Sequence, residues 1–91
     1  MNLGAMLERL IDDPFVGPAH IALYVVIVSK VDLHGRVFFR KKELMDNAKI
    51  KSKTTFHQVI QLLHKQGYLV YKPSRDLKRR LNEINLLNVR V

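Results

Sequence analysis

No cysteine occurs in the chain, which excludes a disulfide framework and any thiolate metal site. Redox chemistry leaves the compartment open, and a cytoplasmic protein is expected. Long apolar runs are missing too. The longest, "IALYVVIV" over residues 21–28, falls far short of the ~20 residues a membrane span needs, so no membrane partner is expected. The opening "MNLGAMLERLIDD" carries acids where a secretory leader carries basic residues, so no export signal is read. Internal repeats, low-complexity stretches, a glycine-rich phosphate loop and a nucleophile elbow are likewise lacking. Of the four histidines, His57 and His64 come closest to a ligand pair. Seven positions are two helical turns, ~10 Å of rise, too far to share an ion comfortably. His20 reads as a surface or capping residue. The expectation is a chain with no metal, no cofactor and no enzymatic activity.

Acids are scarce where bases are dense. Between Arg36 and Arg80 thirteen Lys or Arg face three acids, Glu43, Asp46 and Asp76, a net charge of +10. The flanks carry three bases against five acids, a net charge of −2, which brings the whole chain to +8. Charge gathered in this way within 91 residues points to a polyanionic partner, most often nucleic acid. The plainer reading is a basic protein that only needs to stay in solution.

The most strongly signalled element is "SKTTFHQVIQLLHKQG", Ser52 to Gly67. Ser52 or Thr54 can cap a helix there, Gly67 suits its left-handed close, and Lys65 suits its last turn. Helical spacing puts Phe56, Val59, Ile60 and Leu63 on one stripe. Thr54, His57, Gln58, Gln61 and Lys65 lie opposite, with no carboxylate among them. Such a face is either the solvated side of an amphipathic helix or a surface for base edges and phosphates.

Around this element the chain reads as follows. "LGAMLERLI" over residues 3–11 has helical apolar spacing and is stopped by Pro14. It packs on the body or offers its stripe to a second copy, the expected route to a homodimer. Pro18 opens a helix running through "AHIALYVVIVSKVDL", apolar on nearly all sides and expected to be the buried core helix. "RVFFR" is a short strand, with Val37, Phe38 and Phe39 read as core. "KKELMDNAKI" is a short helix, with Ile50 plugging the turn that follows. "YLVYK" is a strand ended by Pro73, "PSRDLKRR" a basic tip, and "LNEINLLNV" a second strand with Leu81, Ile84, Leu86 and Leu87 apolar. The expected fold is one domain over 1–91, mainly α with a small β-hairpin, with residues 1–14 a helical extension.

The stretch "KKELMDNAKIKSKTTFHQVIQLLHKQGYLVYKPS" resembles the winged helix-turn-helix family, of the small bacterial regulator or replication and mobile-element type. The resemblance covers residues 18–89 in architecture and 41–74 in detail. It departs at Lys49, where the turn usually carries glycine, and at the wing, which has no glycine at its tip. The resemblance implies a transcriptional regulator binding double-stranded DNA, with Thr54, Thr55, His57, Gln58 and Gln61 in the major groove or on its phosphates. It makes "SRDLKRR" the wing. The charge map adds Lys41, Lys42, Lys49, Lys51 and Lys53 before the recognition helix and Lys65 on it. At the wing it adds Lys72, Arg75, Lys78, Arg79 and Arg80, all suited to phosphates. The alternatives are a winged helix used to bind another protein, or an accessory protein of replication or of a mobile element.

Overall fold

A computed structural model of the chain describes residues 3–74 and 81–86. In chain order the elements are α1 (Leu3–Asp12), α2 (Pro18–Lys30), β1 (Arg36–Phe39), α3 (Lys41–Asn47), α4 (Lys53–Lys65), β2 (Leu69–Lys72) and β3 (Asn82–Leu86). The class is α+β, four helices with a three-stranded antiparallel sheet. Among the described residues no helix is long and apolar enough to cross a membrane.

Helix α4 starts and stops where local chemistry directs. Ser52 is its N-cap, its Oγ accepting from the Thr55 amide at 3.3 Å, so Thr54 lies inside the first turn. At the other end Gly67 adopts φ 82°, its amide donating to His64 O at 3.1 Å and the Tyr68 amide to Leu63 O at 3.0 Å. Those two bonds close a Schellman motif and satisfy carbonyls the helix leaves open. The apolar stripe Phe56, Val59, Ile60 and Leu63 is buried as its spacing requires. Helix α3 closes in the same way on a residue that is not glycine. Lys49 has φ 63°, its amide donating to Asp46 O and the Ile50 amide to Met45 O, which turns buried Ile50 into the core. The turn between α3 and α4 thus has the backbone a glycine would give, made by a lysine.

The sheet is wider than the expected hairpin. β3 lies in the middle, paired with β2 from Leu69↔Leu86 to Lys72↔Glu83 and with β1 from Arg36↔Asn85 to Phe39↔Asn82. Val37, Phe39, Ile84, Leu69 and Leu86 point into the core, with Phe39 stacked on Tyr71 at 6.3 Å between ring centroids. Phe38 corrects the sequence reading. Strand alternation turns it to the outer face, 55% exposed, with the Arg36 guanidinium 5.9 Å from its ring. Leu81 is also exposed, and Leu87 lies outside the described residues.

Helix α2 is less buried than expected. Leu23, Tyr24 and Ile27 are fully covered, while Val25 on the opposite side is half exposed, because a domain this small covers only one side of the helix. It also ends at Lys30 rather than Leu33. The Asp32 carboxylate accepts from the His34 and Arg36 amides and folds the chain into β1. Those bonds hold the Asp32 pKa below the usual carboxylate value. At the other end of α2, His20 is a capping residue, its Nδ1 accepting from the Gly17 amide at 3.0 Å.

Helix α1 packs on the body. Met6 and Leu10 are buried in the chain's own core, so the stripe on which a homodimer through residues 3–11 rested is largely used internally, and Ile11 stays exposed. Arg9 ties α1 to the end of α4. Its Nη2 donates to Gln66 O at 2.9 Å and its guanidinium stacks 4.8 Å above the Tyr68 ring. The Tyr68 hydroxyl donates to the Asp13 carboxylate at 2.9 Å, with Arg9 O at 3.2 Å. Burial, and then that bond, push the Tyr68 phenol up to about 12.

Candidate nucleic-acid interface

With its apolar stripe committed to the core, α4 turns the opposite side outward. Thr54, Thr55, Gln58, Gln61 and Lys65 are exposed and His57 is half-buried, the arrangement the helical period demands. The face carries no carboxylate. His57, Gln58, Gln61, Leu62, His64 and Lys65 line an open concavity of about 600 Å³. Two amides, two imidazoles and a cation can donate there, and Leu62 adds one apolar contact.

The histidines on one flank of α4 are held by different neighbours. His57 Nε2 lies 2.9 Å from the Lys41 ammonium of α3, and its ring meets Phe56 edge to face at 5.8 Å. Burial, then the Lys41 charge, lower its pKa below 6.5. His64 Nδ1 accepts from the Tyr71 amide of β2 at 3.0 Å, which leaves Nε2 to carry the proton of the neutral ring. Each ring nitrogen nearest the body is therefore taken up in positioning α4. His64, which is not among the residues expected to bind DNA, lines the same concavity as His57. Its place two turns from His57 is the signal for that.

Five lysines lie before α4 or at its start, and of these Lys41 is bonded to His57. Lys42, Lys49, Lys51 and Lys53 are exposed, Lys41 is half-buried, and among the described residues none of the five forms an ion pair. Of the acids nearby, Glu43 is taken by Lys30 of α2 at 3.3 Å. On β2, Lys72 is exposed and sits 3.7 Å from Glu83, so it leaves the protein partly neutralised. Arg75, Lys78, Arg79 and Arg80, expected on the wing, lie outside the described residues. No family model, curated protein or solved structure matches the chain.

Proposed function

We propose that this chain is a winged helix-turn-helix protein that binds double-stranded DNA with sequence preference, as a bacterial transcription regulator does. In this reading α4 enters the major groove and the basic tip between β2 and β3 is the wing on the backbone. The element order, two helices, a strand, two helices and two strands, supports the winged-helix assignment. The observation that carries the function is the outer face of α4, free of carboxylates and rich in donors, with five lysines free of ion pairs among the described residues close before it or at its start.

The division of labour follows from chemistry. Gln58 and Gln61 stand in the middle of the exposed face, and glutamine pairs bidentately with the adenine edge. Leu62 suits a thymine methyl. Lys42, Lys49, Lys51 and Lys53 meet phosphates, which are the same at every site and fix register without reading it. Selection of random duplexes on the purified protein at two salt concentrations tests the reading. Enrichment of a motif, with affinity that falls steeply as salt rises, is expected. Absence of both, with the fold intact, moves the assignment to a winged helix that binds another protein.

A further inference from the structure

Lys41 of α3 and His57 of α4 form a polar pair between two helices. An ammonium only donates, so His57 Nε2 at 2.9 Å must accept, and the imidazole is neutral with its proton on Nδ1. Among the described residues neither Lys41 nor His57 forms an ion pair, and Asp46, the second acid of α3, pairs with neither. Glu43 of α3 is held by Lys30 of α2, Glu83 of β3 is held by Lys72 of β2, and α4 itself contributes Lys53, His64 and Lys65. His57 is half-buried and lines the open concavity, and Lys41, also half-buried, meets it from α3. Two nitrogen groups that can both be cations, in contact and with no carboxylate between them, reach full charge together at higher pH when an anion joins them than when none does.

We propose that Lys41 and His57 are one phosphate-binding site, closed in the free protein by their mutual hydrogen bond and opened, with uptake of one proton by His57, when a nucleic-acid phosphate docks. The proton comes from solvent and adds to Nε2. The lone pair that held Lys41 is then gone, and Nζ–H and Nε2–H both donate to phosphate oxygens. The lowered pKa of His57 means that the free protein holds the closed form through neutral pH. The anion reverses the Lys41 repulsion and favours the charged ring. Affinity for phosphate is therefore coupled to pH, rising as pH falls. The site rests on the DNA-binding reading for the source of its phosphate. Its chemistry, two donors around one anion, does not.

The test measures duplex affinity for the parent and His57→Gln from pH 8 to 5.5 at fixed ionic strength. It also follows the His57 ring by NMR titration with and without inorganic tripolyphosphate. Glutamine offers Lys41 an acceptor but does not titrate. The parent should gain affinity toward acid faster than His57→Gln, by up to about tenfold per pH unit, the limit for one proton. Tripolyphosphate should raise the midpoint of the His57 ring, and Lys41→Met should raise the free midpoint and remove most of that response. Parallel pH profiles on a duplex that both proteins bind overturn the site and leave DNA binding standing. If no duplex binds, a raised His57 midpoint in tripolyphosphate keeps the site and ends the DNA reading, and an unmoved midpoint ends both.

Discussion

Lys49 holds φ 63°, a conformation that costs a side-chain-bearing residue about 1–2 kcal/mol. Glycine escapes that cost but loses ~0.5–1 kcal/mol more backbone entropy on folding. Lys49→Gly should therefore raise stability by up to about 1.5 kcal/mol, seen as a higher urea midpoint at unchanged slope. If α4 binds DNA as proposed, the same variant should weaken binding to every duplex alike, because the charge it removes is one assigned to phosphate. A lower midpoint would mean that the lysine side chain stabilises the turn in some other way. Tyr24 presents the opposite case, a polar group in the core. Among the described residues its hydroxyl is buried without a hydrogen-bond partner, and burial raises its pKa. The ring is useful, packed edge to face on Tyr68 at 6.1 Å. Tyr24→Phe keeps the ring and removes an unsatisfied oxygen, so stability should hold or improve by about 1 kcal/mol in thermal unfolding. A loss of that size would reveal a partner for the hydroxyl.

Helix α4 joins core and surface, and its two sides respond to different measurements. Gln58→Ala should cost about 1–3 kcal/mol at the preferred site and relax preference at one position, as should Gln61→Ala at another. Lys53→Ala should weaken all sequences about equally. Base-preference profiles unchanged from the parent would remove direct readout by this helix. For the tip between β2 and β3, replacing Arg75, Lys78, Arg79 and Arg80 by alanine should flatten the slope of log K against log salt. The change should be about one unit for each phosphate that the variant no longer neutralises. An unchanged slope would separate the tip from the backbone. Most of α4 was legible in the sequence because its signals are local. Ser52, Gly67 and the Phe56–Leu63 stripe all act within a few residues of what they specify. Phe38 was misread because Val37, Phe38 and Phe39 form an unbroken apolar run, and an exposed strand face cannot be told from a buried one without alternation. The Lys41–His57 contact joins positions 16 apart on different helices, and no periodicity announces it. The same holds for Arg9 on Gln66, which fixes α4 from 57 residues away.

Across the whole molecule, His20 and His57 share one property. Both have pKa values lowered below 6.5, chiefly by burial. A base that is harder to protonate folded than unfolded binds fewer protons in the native state. Its contribution to stability is full above about 6.5 and is lost as pH falls toward the folded values. The unfolding midpoint should thus drop between pH 7 and 5, and His57→Gln should make that drop shallower; a flat profile for the parent would contradict both assignments. The sheet carries a different consequence, for the chain as it leaves the ribosome. β1 and β2 never touch as neighbours, because β3 stands between them, and the β1–β3 partners lie more than forty residues apart. Until residues 82–86 have been synthesised, both outer strands, with Phe39 and Leu69 on them, have no strand to pair with. Closing the sheet is then a long-range event whose loop entropy falls on β3. Nascent chains released before residue 82 should stay open to proteolysis and to pairing with one another, and those carrying β3 should become resistant in a single step.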